Sequence, residues 1–125
     1  MLRGKAKEAL NAYLNALLSG RYAEAERALE VLGKRLKARG EWGEGYLHAL
    51  KGLLEAKRAN DKYAFNLDLG EDLKALRALR REFGAHAKAK YHADFDRGYF
   101  SALRDLISLA INLKQQASQA RKSTV

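Results

Sequence analysis

The stretch Glu41-Trp42-Gly43-Glu44-Gly45-Tyr46-Leu47-His48-Ala49-Leu50-Lys51-Gly52-Leu53-Leu54 has a counterpart 53 residues further on, Asp94-Phe95-Asp96-Arg97-Gly98-Tyr99-Phe100-Ser101-Ala102-Leu103-Arg104-Asp105-Leu106-Ile107. Both read acid, aromatic, two free positions, Gly, Tyr, apolar, free, Ala, Leu, base, free, Leu, aliphatic. Self-similarity of this kind points to a duplicated structural unit, 41–54 related to 94–107. The matched residues are packing residues. Gly45 and Ala49, and again Gly98 and Ala102, stand four apart and so share one helix face, each pair forming a small notch. Trp42 and Tyr46 flank one notch, Phe95 and Tyr99 the other. The two helices are therefore expected to cross at these notches about an approximate two-fold axis. Glu41 and Asp94 suit the positive ends of their helices.

Composition fixes the class around this stretch. Ala and Leu supply 43 of the 125 residues, Val, Ile and Thr only five, and proline is absent. Strands draw on β-branched side chains, whereas helices draw on Ala, Leu, Lys, Arg and Glu. The expectation is an all-α, compact bundle of about five antiparallel helices. One domain is expected over 1–117, with halves of about 1–60 and 61–117, followed by a flexible tail at 118–125. Apolar spacing draws the helices at about 2–18, 21–39, 41–59, 70–90 and 94–114. Gly20 and Gly40 are read as closing the first two. A looser segment, Asn60–Gly70, carries Tyr63, Phe65, Leu67 and Leu69. The last helix has two apolar rows, Phe95-Tyr99-Ala102-Leu106-Leu109-Leu113 and Phe100-Leu103-Ile107-Ala110, which make it the expected centre of the bundle.

Zero cysteines exclude a disulfide framework, a thiolate metal site and cysteine catalysis. Met1-Leu2-Arg3-Gly4-Lys5 meets charge at once, without the apolar core of a signal peptide, and no apolar run is long enough for a membrane span. A cytoplasmic protein without membrane contact is expected. No carboxylate pair, nucleophile motif, phosphate-cradling glycine loop or metal-ligand spacing occurs, so neither catalysis nor a cofactor is expected.

The formal net charge is +9. Such a balance favours an anionic partner, nucleic acid above all. The same composition, poor in Asn, Gln and Met, also suits a thermophile surface kept soluble by Lys and Arg. The fourth helix carries the clearest row. At 100° per residue, Lys74, Arg77, Arg81 and Lys88 share one sector, and Leu73, Leu76, Leu79 and Phe83 lie roughly 150° away. The second helix adds Arg27, Lys34, Arg35, Lys37 and Arg39. Guanidinium groups in such rows can fork onto phosphate oxygens, although an ordinary solvated face reads the same.

Three resemblances follow from particular residues. Gly20-Arg21-Tyr22-Ala23-Glu24-Ala25, with Leu29-Glu30, is similar to the turn and second helix of a tetratricopeptide-type unit, which implies a helical hairpin. Arg81-Glu82-Phe83-Gly84-Ala85-His86 resembles the Arg-x4-His pattern of HEPN-type ribonucleases. On a continuous helix, however, Arg81 and His86 point about 140° apart and Arg80 and His86 about 120°. A hydrogen bond from His86 to Glu82 is the plainer expectation. Glu41-Trp42…Gly45-Tyr46 and Asp94-Phe95…Gly98-Tyr99 resemble small basic helical proteins of hyperthermophilic archaea, a likeness that implies no activity.

The expected function is that of a non-enzymatic interaction module that binds a protein partner or forms a homodimer through an apolar helical face. The alternatives are nucleic-acid binding through the second and fourth helices, with Lys34, Arg35, Lys74, Arg77, Arg81 and Lys88 as contacts, and a HEPN-like ribonuclease.

Overall fold

A computed structural model of the protein describes residues 2–60 and 72–123, and these are helical throughout apart from short connections. In chain order they form α1 (Gly4–Leu18), α2 (Tyr22–Leu36), a short 3-10 turn (Lys37–Arg39), α3 (Gly40–Ala59), α4 (Leu73–Lys88) and α5 (Asp94–Ser123). No strand occurs among the described residues. Tyr63, Phe65, Leu67 and Leu69 lie outside them.

The ends of the helices have local causes. α1 stops at Ser19-Gly20, where the Arg21 amide reaches back to the Ala16 carbonyl at 2.8 Å. α2 passes at Leu36 into the 3-10 turn, and Gly40 caps that helical run as its position suggested. At φ +58°, Gly40 also swings the chain directly into α3. A residue with a side chain would be strained there. Asn60 caps α3 in the left-handed conformation, a role that suits its short polar side chain. α5 runs well past the predicted end near 114, through Gln115-Gln116-Ala117-Ser118-Gln119-Ala120, a stretch rich in helix formers. The backbone of 118–123, expected as tail, is thus part of α5.

α3 and α5 form the most extensive interface, α4 lies on α5, α1 pairs with α2, and α2 also packs on α3. The fully buried side chains Tyr13, Leu14, Leu17, Leu32, Leu36, Tyr46, Leu50, Leu76, Leu106 and Ile107 come from every α-helix, so all of them share one core. Each such Leu or Ile contributes about 1.5–3 kcal/mol by leaving water.

The α3–α5 seam is set by glycine. A β-carbon on Gly45 would overlap the Phe95 carbonyl oxygen and stand 3.0 Å from the Phe95 α-carbon. A β-carbon on Gly98 would meet the Trp42 carbonyl in the same way, 3.0 Å from its α-carbon. Backbone therefore touches backbone, a geometry that admits Cα–H···O contacts between helices. Ala49 and Ala102, the other halves of the notches, are buried. Gly43 serves a different contact, against the Leu36 carbonyl, and Gly52 faces open space.

Two buried tyrosines tie the elements together. Tyr13 Oη donates to the Leu50 carbonyl at 2.7 Å, joining α1 to α3. Tyr46 Oη donates to Asp105 Oδ2 at 2.8 Å, joining α3 to α5. Burial pushes both phenols well above their ordinary value, and for Tyr46 the Asp105 charge and hydrogen bond add to it. The other Asp105 oxygen accepts from Arg104 Nε and Nη2 at 3.2 and 3.1 Å, so this buried carboxylate is satisfied on both sides.

Candidate nucleic-acid interface

α4 is built to dock by one side only. Asp72 starts it, its carboxylate accepting from the Ala75 amide at 2.7 Å. Leu73, Leu76, Leu79 and Phe83 then recur every three or four residues and face α5 and the core. Leu76 alone is fully buried. The apolar row thus spends itself on a single seam and leaves the opposite side of α4 to its cations.

On that side Lys74, Arg77, Arg80 and Arg81 line one shallow depression of about 290 Å³. Lys74, Arg77 and Arg81 are exposed and Arg80 is half-buried. Among the described residues none of the four stands in an ion pair, and Glu82 is the sole acid within α4 itself. Four like charges in one hollow, with no ion-pair partner among the described residues, form a local positive field that attracts an anion. Arginine brings a planar fork of donors matched to phosphate oxygens.

The sequence row and the structure agree in part. Lys74, Arg77 and Arg81 share the depression, but Lys88 does not line it. Arg80 does, although the resemblance to HEPN-type ribonucleases sets it only against His86. Its spacing three residues after Arg77 was the signal that could have placed it. Lys34 and Arg35 are exposed near the end of α2, which packs on α1 and α3, and they do not contribute to the depression. Arg39, from the same basic run, lies with its guanidinium 3.9 Å from the centre of the Trp42 ring.

His86 is held elsewhere. Its Nδ1 lies 3.1 Å from His92 Nε2, and this partner replaces the expected Glu82. Its ring stacks on Phe100 with centroids 4.7 Å apart, and Phe100 in turn stacks on Phe83 at 6.1 Å. The turn between α4 and α5 returns His92 over the end of α4, a long-range consequence that local helix geometry does not contain. Arg81 meanwhile lines the cationic depression, and His86 does not.

Nor do the two repeat tyrosines form a paired site. The Tyr46 ring lies 5.1 Å from Trp42, and its hydroxyl is spent on Asp105. Tyr99 has His48 and Phe100 as ring neighbours. Among the described residues no group of three or more metal-ligating side chains comes together, and no helix is long and apolar enough to cross a membrane. Compared with known proteins, the chain matches no family model, no curated protein and no solved structure.

Proposed function

We propose that this chain is a non-enzymatic helical module that binds the phosphate backbone of nucleic acid through α4. The observation that carries the reading is the gathering of Lys74, Arg77, Arg80 and Arg81 in one depression without an acidic partner among the described residues. A merely solubilising surface would intersperse acids among such cations, as Arg58 with Glu26 and Arg21 with Glu24 do elsewhere on this molecule. Binding to a protein partner through an apolar helical face has less support. Among the described residues the large exposed apolar side chains are Val31 and Tyr91 only, far short of a contiguous patch.

The scaffold beneath α4 is, in the same reading, an internally duplicated unit. The reciprocal approach of Gly45 to Phe95 and of Gly98 to Trp42 pairs equivalent positions of 41–54 and 94–107, and supports that origin.

The test is a titration with labelled single- and double-stranded RNA and DNA at several salt concentrations. Micromolar or tighter binding with a steep salt slope, weakened by Arg77→Ala with Arg81→Ala, is the expected result. Absence of binding near physiological salt would remove the reading.

A further inference from the structure

Tyr91 is 79% exposed, and Val31, the next large apolar side chain on the surface among the described residues, is 46% exposed. A turn that served only to connect α4 with α5 would gain nothing by presenting an aromatic ring to water. The ring is also well supported. α4 ends at Lys88, and the His92 amide donates to the Ala89 carbonyl at 3.2 Å, closing the turn that carries Lys90 and Tyr91 outward. The Tyr91 ring centroid lies 4.4 Å from that of His92. His92 lies 5.3 Å from His86 and 5.5 Å from Phe100, which reaches Phe83 in the α4–α5 seam. An unbroken series of rings thus runs from the surface to the edge of the core, and the His86–His92 contact ties the last turn of α4 to the loop.

Two lysines closely precede Tyr91 in sequence, and Asp94 and Asp96 follow at the start of α5. Lys88 and Lys90 stand on either side of Ala89, both exposed. At a rise of 1.5 Å per residue, Lys88 lies about 10 Å along α4 from Arg81. α4 carries the cationic depression, and the turn that follows it carries the exposed ring. A duplex hides its base faces within the stack, whereas every base of a single strand has a free π-face for an aromatic side chain.

We propose that Tyr91 is a base-stacking platform and that the preferred ligand of this module is single-stranded nucleic acid, its phosphates along α4 and one base on the exposed ring. This rests on the reading of α4 as a phosphate-binding element and names the ligand class that element takes.

The experiment uses the full chain, a labelled single-stranded oligonucleotide, its duplex, and inorganic polyphosphate as a polyanion without bases. The single strand is expected to bind more tightly than the duplex. Tyr91→Ala weakens the single strand about tenfold, as loss of one stacked base does, and leaves duplex and polyphosphate unchanged. Tyr91→Phe keeps the affinity. Arg77→Ala with Arg81→Ala weakens all three ligands. Circular-dichroism melting controls for folding, which a side chain this exposed should not alter. Unchanged single-strand binding by Tyr91→Ala, or a preference for duplex, overturns the platform. With polyphosphate still bound through the arginines, that result leaves the phosphate reading of α4 in place. Tyr91-dependent single-strand binding that ignores both polyphosphate and the arginine variants would remove the α4 reading and keep the platform. Failure of all three ligands to bind would remove both, leaving the Tyr91 face to a protein partner.

Discussion

Gly45 and Phe95 meet backbone to backbone, with no room for a single methyl group between the Gly45 α-carbon and the Phe95 carbonyl. Gly98 meets Trp42 in the same way, so the α3–α5 seam is held shut at two points by the absence of two side chains. Gly45→Ala and Gly98→Ala are each expected to destabilise the fold by about 3 kcal/mol or more, since both obstacles are backbone and cannot rotate aside. Gly52→Ala is the control. It points into open space, and removing a helical glycine there should stabilise by about 0.5–1 kcal/mol. Urea midpoints of the three variants check this, and a tolerated Gly45→Ala would contradict the seam.

Tyr46→Phe keeps the ring in the core but removes the donor to Asp105 Oδ2. That oxygen is then buried without its partner, at a cost of about 1–3 kcal/mol. Adding Asp105→Asn should recover part of the loss, because the charge that needed the hydroxyl is gone. A double-mutant cycle by chemical denaturation measures the coupling.

Stability should decline at high pH. Burial raises the pKa of Tyr13 and of Tyr46 in the folded chain, with the Asp105 charge a further cause for Tyr46. Unfolding returns both to the ordinary phenol value of about 10. The folded chain thus holds protons that the unfolded chain releases. Stability is complete below about pH 10 and falls as the pH rises beyond it. Phenolate absorbance from these two residues should appear only with the loss of the helical signal, and Tyr13→Phe with Tyr46→Phe should flatten the alkaline decline.

Removing Arg77 and Arg81 together takes two phosphate contacts from the proposed interface. The slope of log affinity against log salt should fall in magnitude by roughly 1.4 for a single strand and roughly 1.8 for a duplex. Lys34→Ala with Arg35→Ala, on α2 and outside the depression, should leave the slope nearly unchanged. Equal effects from the two pairs would argue for diffuse attraction rather than a site.

Asp72→Ala removes the cap from α4, the helix that carries the cations, and is expected to cost about 1 kcal/mol. Because only Leu76 of α4 is fully buried, the loss should appear first as local opening. Hydrogen exchange would show it, with the amides of α4 losing protection before those of α3.

The all-helical class, the inward row of α4 and the close approach at Gly45 and Gly98 were legible in the sequence. Each follows from a short-range rule: side-chain type sets helix propensity, and 100° per residue sorts residues into faces. Three cations of the α4 depression, Lys74, Arg77 and Arg81, were readable by the same wheel. What the wheel lacks is the neighbour across a seam or turn. Tyr46 finding Asp105, His86 taking His92 instead of Glu82, Gly52 having nothing to pack against, and Lys34 and Arg35 standing apart from α4 all depend on how the helices are laid on one another. The exposure of Tyr91 belongs with these, because a tyrosine in a turn becomes a platform or a core residue only when the path of the turn is set. Local periodicity by itself determined which faces are apolar. Only the packed structure decided which polar groups meet, because hydrogen bonds and ion pairs form over a few ångströms between residues tens of positions apart.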